Sequence, residues 1–446
     1  MILGCNRAFE RLTLRCRPRP GKRATALAAA TLALLAGAAS ARAADAAAAL
    51  EDEGSLVEAA LALADERLAL MPAVAAAKWP RHLPVSDPAR EAAVSADAAS
   101  RAATLGLEPG AVAEYFGVQM ALAREVQQRL NEGWNRAGGP TGTAPDLAGE
   151  LRPRLDRLTA ATLRALYLAA PFTTSDGFGA RAAERATAAL PAARWTDADR
   201  ARLVDALARV RVAAPSSPSG ARAAGVLRVG TPADYAPFSV AHGRSLEGVD
   251  VDLATALARS LGLEPVFVRS SWRSLLEDLA ASHFDLAAGG ISVTPARAAL
   301  AEFSAPTSRS GKTAIGRCAD QQRFATLAGI DRPDVTVVFN PGGTNESFVR
   351  SHLHAAQLRL HADNRTVFDE LDARSADVMF TDEIEVALAT RRHPGLCRLL
   401  SDAFEPADKA FLLPRGSGWP AVVAPWLSAE RERGTPARLL ESYLAR

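Results

Sequence analysis

A chain of 446 residues is too long for one ordinary core, so two domains are the starting expectation. Its 48% hydrophobic and 23% charged residues exclude a disordered or collagen-like chain, and the lack of a long apolar run beyond the extreme N-terminus excludes a polytopic membrane protein. Of the formal charge of +2, residues 1–43 hold eight basic side chains against Glu10 alone; without them the balance is acidic, at −5, which leaves no electrostatic footprint for nucleic acid.

Residues 1–43 read as a secretory signal: a basic stretch ending at Lys22-Arg23, a short Ala/Leu-rich run from Ala24, and a small-x-small site at Ala41-Arg42-Ala43, with Ala39-Ser40-Ala41 as the other choice. A membrane anchor fits less well because the apolar run is short and Ala-rich. The expected location is periplasmic or secreted, with no membrane association after cleavage. Cys5 precedes any hydrophobic run and is a poor lipid-attachment site. Removal of the segment leaves Cys318 and Cys397, and an even pair in an oxidising compartment favours a disulfide over two separate buried thiols.

Residues 44–213 show helical periodicity almost throughout, whereas 226–446 alternate short apolar strands with amphipathic helices. Residues 214–225 separate them and read as a linker, beginning with the Pro-Ser-Ser-Pro-Ser-Gly run at 215–220. The expectation is therefore multidomain, an all-α domain followed by an α/β domain.

In the first long helix Leu56, Ala60, Ala64, Arg67 and Met71 follow one stripe, which points Arg67 inward, and Lys78 follows eleven residues later, beyond a kink expected at Pro72. Asp87-Pro88 reads as a helix N-cap with proline at the first position, placing Arg90 and Glu91 in the first turn. Phe116, Met120, Ala123, Gln127, Leu130 and Trp134 form a third stripe, and Arg152 shares a face with Leu155 and Thr159. Cations and an amide aimed into a bundle need anions to neutralise them, so together they describe a pocket for a small dianion. Each taken alone reads more simply as a snorkelling or surface residue.

This constellation, with Gln119, resembles the secreted subclass of helical chorismate mutases over residues 55–160. The resemblance implies that Arg67, Arg90 and Arg152 hold two carboxylates of chorismate, that Lys78 and Gln127 donate to its ether oxygen, and that Glu91 lies near the ring hydroxyl. A Claisen rearrangement moves no proton, so such a site needs a clamp and donors where negative charge develops rather than a base. Ala123 departs from relatives that carry a hydroxyl there. Arg152 comes from the same chain, so one subunit can complete the pocket; the oligomeric state stays open.

Only four of the 52 basic residues are lysines, and three of them, Lys78, Lys312 and Lys409, lie beyond residue 43. In a chain that uses arginine almost everywhere, they are candidates for places that need a compact ammonium. In the α/β half, Asp234-Tyr235-Ala236-Pro237-Phe238, Gly248-Val249-Asp250, Gly290-Ile291-Ser292 and Arg297 resemble periplasmic amino-acid-binding proteins, which close two α/β lobes on a ligand. That resemblance implies that Arg297 and the helix start at Thr344 receive a carboxylate. A narrower likeness runs through Ser310-Gly311-Lys312-Thr313, Asn340-Pro341-Gly342-Gly343-Thr344-Asn345-Glu346, Thr381-Asp382-Glu383-Ile384-Glu385 and Asp408-Lys409-Ala410-Phe411. These segments, with the Cys318/Cys397 pair, look like cyclohexadienyl dehydratase.

By that likeness Glu385 is the acid that protonates a departing ring hydroxyl, and burial is expected to raise its pKa. Asp382 either raises it further or binds a substrate amine, while Tyr235 and Trp272 pack on the ring. The joint reading is a bifunctional enzyme that turns chorismate into prephenate and prephenate into phenylpyruvate, or arogenate into phenylalanine. The alternative is a mutase fused to a non-catalytic receptor. No metal-ligand cluster, nucleotide loop or nucleophile–His pair argues for a cofactor.

Overall fold

The computed structural model describes residues 48–446, so the expected signal segment lies outside the described residues. No described helix is long and apolar enough to cross a membrane. The helical half begins with α1 (Glu53–Ala69), opened by a capping box in which Asp52 and Ser55 satisfy each other's backbone N–H groups. The chain breaks at Leu70 and resumes as α2 (Met71–Lys78), because the Pro72 ring cannot continue the ladder of the preceding turn. α3 (Pro88–Thr104) starts as its sequence dictates: the Asp87 carboxylate accepts from the Arg90 N–H at 3.1 Å, with Pro88 at the first position. The long α4 (Pro109–Ala137), then α5 (Arg152–Ala169), α6 (Phe178–Ala189) and α7 (Asp197–Leu207) complete the bundle. Leu56, Ala60, Leu63 and Ala64 of α1 are buried in one core with Tyr115, Phe116 and Leu122 of α4 and Leu166 of α5.

The α/β half has two lobes. The first is built on a nine-stranded sheet around Val226–Thr231 and Glu264–Arg269, and the second on a six-stranded sheet centred on Val378–Asp382 and Ser308–Arg317. The chain crosses between lobes at 304–307 and returns at 409–411. The two crossings lie side by side, the Thr307 N–H donating to the Lys409 carbonyl at 2.7 Å and the Ser304 N–H to the Phe411 carbonyl at 3.0 Å. Cys318 and Cys397 form a disulfide within the second lobe.

Two expectations need correction. Ala48–Glu51, read as the start of the helical half, is a strand of the first lobe, antiparallel to Ser245–Glu247 and parallel to Glu264–Arg269, with Leu50 opposite Phe267. An Ala-rich segment has little strand propensity of its own; here the unpaired edges of two strands and the burial of Leu50 decide its conformation. The second concerns 214–225, which is packed rather than a free linker. Pro218–Ala224 forms a short helix capped by Ser217. Ser216 is buried, its N–H donating to Ser282 Oγ at 3.1 Å and its hydroxyl to Asp285 at 2.7 Å, while the Trp419 indole donates to Ser216 Oγ at 3.1 Å. The same Ser-Pro-Ser residues that mark a linker by composition also mark a helix start, and here the second role prevails.

The halves therefore share a polar knot. Arg228 and Asp285, both almost fully buried, pair at 2.7 Å; Tyr167 of α5 donates to Asp285 at 3.1 Å, and the Arg228 guanidinium lies 4.1 Å from the centre of its ring. Arg164 of α5 adds a 2.6 Å ion pair to Glu264.

Candidate active sites

The helical bundle holds a cavity of about 160 Å³ lined by Arg67, Lys78, Arg90, Glu91, Gln127 and Arg152, which the structure brings together from α1 to α5. Arg67 is buried over Phe116 and donates to Thr159 Oγ1 at 3.1 Å; burial lowers its pKa to about 10. That energetic deficit favours an arriving anion. Lys78 is half-buried and donates to the Pro84 and Val85 carbonyls at 3.1 and 2.9 Å, and burial lowers its pKa as well. The Gln127 amide donates to the Ala123 carbonyl at 3.2 Å, and its buried oxygen finds no partner among the described residues. Arg90 faces Asp156 at 3.5 Å.

Sequence reasoning missed Arg124, which lines the cavity and holds the Glu91 carboxylate in an ion pair. Its spacing, one turn after Met120 and three residues before Gln127, carried the signal. Gln119 needs correction: it does not line this cavity but sits in the core beside Leu68 and Trp195, with neither amide atom partnered among the described residues. Eight residues before Gln127, it is turned about 80° around α4.

Between the lobes, Tyr235, Trp272, Ser292, Arg297, Lys312, Thr344, Asn345 and Asp382 line one cleft, together with Lys409, Asn340 and Asn364. Asp382 is its hub. Lys312 approaches one carboxylate oxygen at 3.0 Å and Lys409 the other at 2.5 Å, while the Tyr235 hydroxyl also donates to it. Burial alone would raise the Asp382 pKa, but the two ammonium groups hold it well below the usual carboxylate range. Lys409, which also donates to Ser292 Oγ at 2.8 Å, is lowered to about 8 by burial despite Asp382. Lys312 donates to Asn345 at 2.5 Å, and Asn345 donates to Asn340 and Thr381. The Arg297 guanidinium lies 5.8 Å from the Trp272 ring centre and donates to the Ser292 carbonyl at 3.1 Å; burial lowers its pKa. Thr344 opens the helix Thr344–His352, presenting its N-terminus to the cleft. Lys312, Lys409 and Arg297 against Asp382 leave the cleft cationic, suited to a substrate with more than one carboxylate.

Glu385 is buried in the first turn of the helix Glu383–Arg392, accepting from the Thr381 hydroxyl. Burial pushes its pKa up to about 7; the Thr381 bond opposes this and the Asp382 charge reinforces it. Its side chain adjoins the cleft through Thr381 and Asp382, yet the space it lines is a second cavity of about 410 Å³ that is walled by both lobes and shares Asn364 with the cleft.

The comparisons with known proteins divide the chain as the fold does. The model of chorismate mutase type II matches residues 58–128, and that of bacterial extracellular solute-binding proteins, family 3, matches residues 227–445. A cyclohexadienyl dehydratase of Pseudomonas aeruginosa is 44% identical over 222 residues, 49% of this chain and 83% of the relative. The L-cystine-binding protein TcyJ of Escherichia coli is 24% identical over 195 residues, 43% of this chain and 72% of the relative. A crystal structure of an ancestral cyclohexadienyl dehydratase is 40% identical, covering 52% of this chain and 98% of that one with a TM-score of 0.33. The chain thus belongs to the cyclohexadienyl dehydratase family of the solute-binding-protein fold, with a chorismate mutase type II segment in its helical half.

Proposed function

We propose that the protein runs two consecutive steps of phenylalanine biosynthesis, rearranging chorismate to prephenate in the bundle and converting prephenate to phenylpyruvate between the lobes. The observation that carries the second step is Glu385: a fully buried carboxyl with a pKa near 7, beside a cationic cleft, is suited to hold a proton at neutral pH and give it to a departing hydroxide. A merely receptive binding protein has no use for such a group. The ring hydroxyl leaves as water with the Glu385 proton, and the electron pair of the breaking carbon–carboxylate bond enters the ring as carbon dioxide departs. Aromatisation drives the step.

In the bundle, Arg67, Arg90 and Arg152 clamp the two carboxylates of chorismate in the reactive conformer. Lys78 and Gln127 donate to the ether oxygen as its bond breaks. Glu91, fixed by Arg124, takes the ring hydroxyl. Arg297, Thr344 and Lys312 are assigned to the prephenate carboxylates, with Trp272 and Tyr235 against the ring.

Asp382 is the residue that would take a substrate ammonium, but two lysines of the chain already neutralise it, which favours prephenate over arogenate. The solute-binding-protein kinship and the secretory reading of residues 1–43 support a periplasmic or secreted location.

Single variants test the assignment. Glu385→Gln should abolish phenylpyruvate formation from prephenate while leaving chorismate consumption intact. Arg67→Gln should lower kcat/KM for chorismate by on the order of a hundredfold, the cost of one lost charge-assisted contact to a carboxylate, and spare the dehydratase. A Glu385→Gln protein that still makes phenylpyruvate at the wild-type rate would remove the acid role.

A further inference from the structure

Conversion of prephenate to phenylpyruvate consumes one proton per turnover: the dianion and a proton give the phenylpyruvate monoanion, carbon dioxide and water. If Glu385 supplies that proton, it must recover one each cycle while buried, with the cleft occupied by substrate or product. The structure offers another route. The second cavity, of about 410 Å³, is lined by Asp234, Asn364, Arg365, Arg392 and His393 as well as by Glu385, which does not line the cleft itself. Arg365 and Arg392 are solvent-exposed, so this space reaches the surface.

Asp234 and Asn364 stand at the partition between the two cavities. Asn364 is buried, lines both, and donates through Nδ2 to the Asp234 carbonyl at 3.0 Å. Its Oδ1 is buried without a partner among the described residues, an acceptor suited to a water molecule. One oxygen of Asp234 accepts from the Trp272 indole at 2.9 Å, so the carboxylate is anchored to the cleft wall while it faces the second cavity.

We propose that this second cavity is the proton path of the dehydratase, with Asp234 as the relay that reloads Glu385. The proposal rests on the reading of Glu385 as the acid. An external acid or hydronium gives its proton to the Asp234 carboxylate; the proton then passes through water held by Asn364 to the Glu385 carboxylate, and Asp234 is left ionised for the next cycle. No other bond is made or broken. Burial places the Asp234 pKa at about 6, partly offset by the indole bond, which lets it take up and release a proton near neutrality.

The test is rapid mixing of Asp234→Asn with excess prephenate. Asparagine keeps the acceptor for Trp272, so the cleft wall should stand. At pH 6, below the Glu385 pKa of about 7, the expected result is a burst approaching one phenylpyruvate per site, from Glu385 already loaded, followed by a steady rate reduced by about tenfold or more. Added formate, a small acid able to enter the second cavity, should restore the steady rate and leave the burst unchanged. An equal fall in first turnover and steady rate, without formate rescue, would overturn the relay and leave Asp234 a support for Trp272. Glu385→Gln separates the two readings: loss of the first turnover as well upholds the acid, whatever Asp234→Asn does.

Discussion

The roles proposed for Glu385 and Gln127 are chemically opposite, and pH should tell them apart. The acid works only while protonated, and burial sets its pKa at about 7, so dehydratase kcat should be highest below neutrality and fall as pH rises through 7. Gln127 does not titrate and Arg67 loses its proton only near pH 10, so neither gives the mutase the fall through pH 7 that Glu385 imposes on the dehydratase; Lys78, lowered by burial, sets the alkaline limit of the mutase. Parallel profiles for the two reactions would contradict these assignments. The same shift bears on stability. The folded-state pKa of Glu385 lies above its unfolded value near 4.5, so the stability it lends is complete below 4.5 and is lost as pH rises through 7. Glu385→Gln should therefore be more stable than the parent at pH 8, by on the order of 3 kcal/mol, and no more stable at pH 4; thermal melts at both values check this.

At the scale of elements, the strand Ala48–Glu51 ties the start of the bundle into the first lobe. Deleting these residues bares two strand edges and the Leu50 pocket, and should lower the Tm measured by dehydratase inactivation; an unchanged Tm would mean the pairing contributes nothing. What the sequence revealed follows the range of the interactions. The N-cap at Asp87-Pro88 and the break near Pro72 are local and were readable, as was the Arg67–Phe116 side of the bundle from its periodicity. Lys409 was marked by the rarity of lysine, although its place at Asp382 comes from the return crossing between lobes. The strand at Ala48 and the burial of Ser216 depend on partners roughly 65 to 220 residues away, and no propensity announces them. Gln119 entered through the family resemblance and not through the α4 stripe; it stands about 80° around the helix from Gln127, which puts it in a packed core and not on the cavity wall.

Across the whole molecule, the bundle and first lobe share one apolar cluster, in which Leu166 and Tyr167 are buried with Val226, Val266 and Phe284, and the Arg228–Asp285 pair is sealed beneath Tyr167. Removing the bundle would leave that pair facing water on one side and strip its tyrosine and serine partners. The fragment 226–446 should accordingly unfold at a lower temperature than the whole chain, which should itself melt the bundle and first lobe in one transition; equal melting temperatures would show two independent units on a tether. The fixed attachment also joins the cavity proposed for chorismate to the cleft proposed for its product. The most direct measurement is a time course on the purified protein without residues 1–43, given chorismate at neutral pH, with chorismate, prephenate and phenylpyruvate followed separately. Chorismate should fall, prephenate should pass through a maximum, and phenylpyruvate should account for the material lost. Prephenate that accumulates and stays would contradict the account, leaving a mutase attached to a receptor.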